Sequence, residues 1–254
     1  MNLFTLEARP FTKFRILVVF AAMALTDYEK YIRTEELLGL QKPATELSCH
    51  DEMQFQIVHQ VAELWMKLCA HELGHAVDLF AKHKLAAALR SFQRVREIQR
   101  LLEAQLSLLD TMAPGDYMTI REVLGRGSGQ ESPGFKRLLQ LPAEIWPRFE
   151  KLLHKHDLPL RTIYEKPEAQ PELFALAEAL VDFDQHLQSW RMRHLLLVYR
   201  QIGAGTPSLK GKASELLADG MKHRFFPKLW QVRDELFAKW SKTHPYGADK
   251  GYHG

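Results

Sequence analysis

Cysteine is almost missing from this chain: Cys49 and Cys69 stand twenty positions apart in 254 residues, with no CxxC pair. That excludes a disulfide framework and a thiolate metal cluster, and it points to a reducing, cytoplasmic setting. Clustered charge is missing too. The 34 Lys+Arg and 31 Asp+Glu leave a net charge of +3 spread along the chain, so there is no basic stripe to track a phosphate backbone and no nucleic-acid partner is expected. No apolar run is long enough to span a bilayer; the uncharged stretch from Ile16 to Leu25 is far too short, so no membrane partner is expected either. Alternating strand patterns and internal repeats are also lacking, which removes sandwiches, barrels and solenoids from consideration.

What is present is helical periodicity, in a chain whose 46% hydrophobic content can fill a sizeable core. From Asp51 to about Lys84, apolar residues including Phe55, Val58, Val61, Trp65, Leu68 and Leu73 recur at steps of three and four, predicting one long helix. LAAALRSFQRVREIQRLLEAQLSLLD follows at once and must fold back antiparallel. A turn at Ala113 to Asp116 leads into a short helix through Val123, then the loop GRGSGQESPG. A third long helix runs from about Pro171 to Ile202; the loop GAGTPSLKGK separates it from two last helices, the final one being FPKLWQVRDELFAKW. The expected fold is all-α, a bundle of long antiparallel helices.

Residues 28–242 are expected to form a single domain and 243–254 a disordered tail. Residues 1–27 admit three readings. Basic residues ahead of an apolar run in RPFTKFRILVVFAAMAL have the layout of a secretory signal; the run equally suits a packing helix; and Met23 could be the natural start, with an over-extended segment before it.

One motif stands out by itself. His71, Glu72 and His75 in HELGHAVDLF fit H-E-x-x-H, in which two imidazoles one helical turn apart hold zinc and the glutamate acts as general base of a peptidase. The extended form of that motif wants Gly and His where this chain has Asp78 and Ala81. A zinc peptidase is therefore kept only as a minor alternative.

Upstream, Phe55 and His59 are four residues apart and share one helical face, an aromatic wall beside an imidazole. On their own they read as a core phenylalanine and a hydrogen-bonded histidine. The longer segment HDEMQFQIVHQVAELWMKL, residues 50–68, resembles the first long helix of the tryptophan 2,3-dioxygenases, and YEKYIRTEELLGLQ, APGDYMTIREVLG, QSWRMRHLLLV and FFPKLWQVR are similar to further family segments in the same order. The resemblance runs from Tyr28 to Arg233 and is weakest at 138–180, where this chain looks shorter than family members.

The resemblance implies an all-α heme oxygenase whose helices surround a heme pocket. It implies heme b, iron protoporphyrin IX, with His194 as axial ligand of the iron and the other face left to dioxygen. His59 is implied as the distal catalytic histidine and Phe55 as packing on the substrate ring. Tyr117 and Arg121 would line the pocket, the arginine fork gripping the amino-acid carboxylate. Tyr28, Tyr31 and Ile32 match residues that enter a neighbouring subunit's pocket, which implies a homo-oligomer, usually a tetramer. Ser208 falls where the family's glycine-rich loop carries a substrate-binding threonine, but most of the flanking glycines are replaced in PSLKGKA. The implied reaction is insertion of dioxygen into the indole ring of L-tryptophan or a substituted tryptophan, giving an N-formylkynurenine-type product. A heme-dependent mono-oxygenase of another indole or aromatic is the alternative, and a heme sensor without turnover a further one.

Overall fold

The computed structural model describes residues 24–125, 127, 129–204 and 223–244. Every regular element among them is helical, as the periodicity requires. By contacts the chain divides into two compact units, residues 1–41 and 42–254.

The first unit carries α1 (Asp27–Ile32) and α2 (Thr34–Leu38). Thr26 opens α1 with a reciprocal cap: its hydroxyl accepts from the Glu29 amide at 3.2 Å, and the Glu29 carboxylate accepts from the Thr26 amide at 2.7 Å. Arg33, at φ 56°, breaks the chain between the two helices. Neither helix buries a residue, and Tyr31 is 89% exposed.

In the second unit α3 (Glu52–Ala81) and α4 (Leu85–Ala104) are joined by three residues, so the chain must reverse there; His83, at φ 52°, takes the left-handed conformation that makes the turn. A single turn, α5 (Leu106–Leu109), continues past a break at Gln105 in what the sequence reads as one helix. Next come α6 (Pro114–Leu124), α7 (Pro133–Lys155), α8 (Leu160–Glu165), α9 (Pro171–Ile202) and α10 (Pro227–Thr243). The expected turn at 113–116 is instead the first turn of α6. Proline at the first helical position has its φ preset, and its missing N–H is one the helix does not need. Residues 243–254 are not all irregular, since α10 extends to Thr243; 245–254, the helix expected within 205–222, and the run 1–23 lie outside the described residues.

The core follows a three-four rhythm on each long helix. On α3 the buried positions are Met66, Cys69, Leu73, Ala76 and Phe80; on α9 they are Leu173, Leu176, Leu180, Phe183 and Leu187. A stripe with this spacing favours near-antiparallel, shallow-angle packing, and α3 packs along α4 and α7 while α4 packs along α9. Several apolar residues of the α3 pattern fall outside this stripe: Ile57, Leu64 and Leu68 are exposed, as are Leu101 on α4 and Leu108 on α5. Cys69 is wholly buried, and burial pushes its thiol up to about 12, so it stays neutral and inert.

Helix α7 is the longest element with no counterpart in the sequence reading. It contains Pro142 and Pro147, each worth about 3 kcal/mol against an interior helix position. Leu138, Leu141, Ile145, Phe149 and Leu152 are nonetheless buried at helical spacing, and at roughly 1.5–3 kcal/mol for each buried side chain they outweigh that cost.

Candidate functional site

A second, smaller apolar cluster sits apart from the main core. Val58, Leu106, Leu109, Met112, Ile120 and Leu197 form it, with Phe55, Tyr117 and Trp190 packed on its edge. Four separate elements meet here, and polar ties fix how they meet. From α3, the Gln54 amide donates to the Leu108 carbonyl and, at 3.3 Å, to the Thr111 hydroxyl. From α9, Arg193 pairs with the Asp110 carboxylate, Arg200 Nε donates to the Asp110 carbonyl at 3.1 Å, and Gln201 Nε2 donates to the carbonyls of Leu109 at 3.0 Å and Met112 at 3.3 Å. The turn 106–112 is thus held from both sides, and α6 starts two residues later.

The start of α3 is anchored as firmly. The buried Glu52 carboxylate accepts from Lys42 Nζ and from the Ser48 amide, both at 2.6 Å. These hydrogen bonds, that of Lys42 foremost, hold its pKa down to about 2. Phe55 follows one turn on and His59 the next.

Phe55 and His59 are in ring contact, 4.1 Å between centroids, and Phe55 lies 6.4 Å from the Tyr117 ring. His59 Nδ1 lies 2.7 Å from the Phe55 carbonyl oxygen, which can only accept; the proton is therefore on Nδ1, and Nε2 carries the free lone pair. Burial lowers the basicity of this ring, and the Phe55 carbonyl and Glu63 oppose the shift. His194, on α9, is also lowered, to about 4; burial is the main cause and the His59 ring the second. Both histidines keep some solvent access even so, His59 the more. The two imidazoles, 135 positions apart in the chain, are within electrostatic reach of each other and are both neutral near pH 7.

Behind His194 stands Trp190, one turn earlier on α9. Its ring stacks on the imidazole at 5.4 Å and 14°, and its Nε1–H donates to the Leu102 carbonyl at 3.1 Å. On the opposite flank, burial raises the Tyr117 phenol while the nearby Arg121 guanidinium pulls it back.

Phe55, His59, Tyr117, Arg121 and His194 are therefore gathered in one region. Tyr28, Tyr31 and Ile32 lie on α1 in the N-terminal unit, all three exposed. Ser208 lies outside the described residues. The ties through Gln54, Asp110, Gln201, Glu52 and Trp190 have no part in the sequence reading; Trp190, one turn before His194, is the one that spacing alone could have flagged.

The donor set suits a porphyrin. A neutral imidazole at His194 could offer its lone pair to iron, the His59 imidazole stands within its electrostatic reach, and the Phe55 and Tyr117 rings lie beside His59. The zinc motif is not built in the same way. Glu72 is buried and its carboxylate accepts from Arg94 Nη1 at 3.0 and 3.2 Å, while His71 and His75 face solvent. Among the described residues no three His, Cys, Asp or Glu side chains are grouped to hold a metal ion. No described helix is long and apolar enough to cross a membrane.

Residues 19–141 match the family model described as tryptophan 2,3-dioxygenase. Tryptophan 2,3-dioxygenase of Saccharopolyspora erythraea is 31% identical over 82% of this chain and 92% of its own length. That of Erythrobacter litoralis is 33% identical over 82% and 98%, and that of Kineococcus radiotolerans 32% over 82% and 91%. With likeness of this extent, and an all-helical fold, the chain belongs to the tryptophan 2,3-dioxygenase family.

Proposed function

We propose that this protein is a heme-dependent dioxygenase acting on the indole ring of L-tryptophan or a substituted tryptophan, with an N-formylkynurenine-type product. The observation that carries the proposal is the pairing of two neutral histidines, His59 on α3 and His194 on α9, beside the Phe55 and Tyr117 rings. His194 would hold the iron of heme b, its ring steadied by the stacked Trp190. Heme, when bound, supplies the binding and activation of dioxygen that no amino-acid side chain provides.

The rest of the work belongs to the protein. His59, its proton fixed on Nδ1 by the Phe55 carbonyl, presents Nε2 as an acceptor for the indole N–H. It orients the substrate and has no need to be a strong base. Phe55 and Tyr117 flank the indole, and apolar packing there keeps water from the ring. Arg121 binds the carboxylate as a bidentate fork. Ser208 would meet the amino-acid head group, and Tyr28, Tyr31 and Ile32 would complete the pocket of a neighbouring subunit in a homotetramer. Residues 28–242 would work as a single domain.

The test is direct. Purified protein should show a Soret band, His194→Ala should lose most of it and His75→Ala should not. Ferrous protein given tryptophan in air should yield a product heavier by two oxygen atoms. A gain of one oxygen would assign a mono-oxygenase, and stoichiometric zinc lost with His75→Ala would overturn the reading altogether.

A further inference from the structure

The segment WRMRH on α9 holds two arginines, and the structure treats them differently. Arg193 is closed, since its guanidinium pairs with the Asp110 carboxylate. Arg191 is open: its Nη1 is withdrawn from solvent and has no hydrogen-bond partner. Burial lowers the basicity of this group, and Asp184, two turns earlier on α9, opposes the shift only through its field. Asp184 has little left to offer. Its Oδ2 accepts from the amides of Phe225 at 3.0 Å and Phe226 at 3.5 Å and from Trp230 Nε1 at 2.8 Å, while its Oδ1 accepts from Gln188 at 3.3 Å. A guanidinium stays charged at any physiological pH, so a withdrawn terminal nitrogen without an acceptor marks the place of an anion that the described chain does not supply.

The position says which anion. Arg191 precedes His194 by three residues, so the two are neighbours on one helix face, with about 5–6 Å between their Cβ atoms. Arg121, on α6 beside Tyr117, stands where a substrate carboxylate is read; Arg191 shares a helix with the residue proposed to hold the iron. A porphyrin ligated by His194 carries its own two carboxylates at the rim of the macrocycle, and a planar guanidinium fork matches a carboxylate in geometry and charge. We propose that Arg191 anchors a propionate of the heme, fixing the rotational setting of the macrocycle about the iron–His194 axis. This rests on the heme reading above, and it adds the carboxylate contact that sets the cofactor's orientation.

The experiment titrates heme-depleted protein with hemin and with hemin dimethyl ester, whose propionates are blocked, and follows the Soret band. The unaltered protein should bind hemin about ten- to a hundredfold more tightly than the ester, the span of one charge-assisted hydrogen bond. Arg191→Met, which keeps the length of the stem and removes the charge, should lose that preference by weakening hemin alone, and Arg191→Lys should restore part of it. If the unaltered protein binds hemin and ester equally, the proposal falls without need of any variant. It falls equally if Arg191→Met keeps the full preference, while loss of the Soret band in His194→Ala leaves the heme reading intact. No binding of hemin at all by the unaltered protein would overturn both.

Discussion

Asp184 offers the sharpest test of how α10 is attached to the helix that bears His194. It is fully buried, and its carboxylate takes the Phe225 and Phe226 amides and the Trp230 indole N–H at the start of α10. Two of these bonds, at 3.0 and 2.8 Å, are well formed; those from Phe226 at 3.5 Å and Gln188 at 3.3 Å are marginal. Hydrogen bonds to a charged acceptor contribute about 1.5–3 kcal/mol each, so Asp184→Ala, which also strands the buried donors, should cost about 3–5 kcal/mol. Against a total of roughly 5–15 kcal/mol that is a large share. Asp184→Asn keeps one oxygen for the α10 donors and should cost only about 1–2 kcal/mol, the price of losing the charge. Urea unfolding followed by far-ultraviolet circular dichroism reads both values. A loss below about 1 kcal/mol for the alanine variant would show that α10 is held by the packing of Phe226 and Leu229 and not by the carboxylate, and the reasoning would be wrong.

Other expectations can be checked together. His59→Ala should retain heme by its Soret spectrum yet lower kcat by up to about a hundredfold through lost orientation of the indole; full loss of heme would mean that the two histidines have exchanged roles. Arg121→Leu should raise KM for tryptophan by about thirtyfold or more and leave an alkyl indole without a carboxylate unaffected, as steady-state oxygen uptake would report. Glu52, depressed to about 2, stabilises the fold above its unfolded pKa of 4.5, and that contribution should fade as pH falls from 4.5 towards 2. Thermal melts of heme-free protein at pH 5 and pH 3 should therefore differ less in Glu52→Gln than in the unaltered chain.

The long helices were legible because their signals are local. The stripe of α9 repeats at three and four, Pro171 sits in its first turn, and Gly203 at φ 81° ends it, so both ends could be read from residues alone. Helix α7 was not legible because Pro142 and Pro147 read as breakers, and only the partner surface of α3 makes their cost bearable. The site divides along the same line. Phe55 and His59 share a helix face by spacing, and Tyr117 and Arg121 do too, but nothing local tells that His59 and His194 meet. That depends on Gln54, Arg193, Arg200 and Gln201 converging on one turn, and a backbone carbonyl accepting from a distant amide leaves no trace in the pattern. The H-E-x-x-H match shows the converse: the spacing is right, but Arg94 from the next helix already occupies the glutamate.

Cys69, sealed between α3 and its neighbours, has a practical consequence. Cys49 is only partly covered, its thiol resting 3.7 Å from the Asp116 carbonyl, whereas Cys69 is 0% exposed. A thiol reagent added to the native protein should modify one cysteine promptly and leave the second untouched until the bundle opens. The chain thus carries its own clock for unfolding, readable without any introduced label: with reagent in enough excess to outpace reclosing, the rate at which the second thiol appears is the rate at which α3 parts from the core.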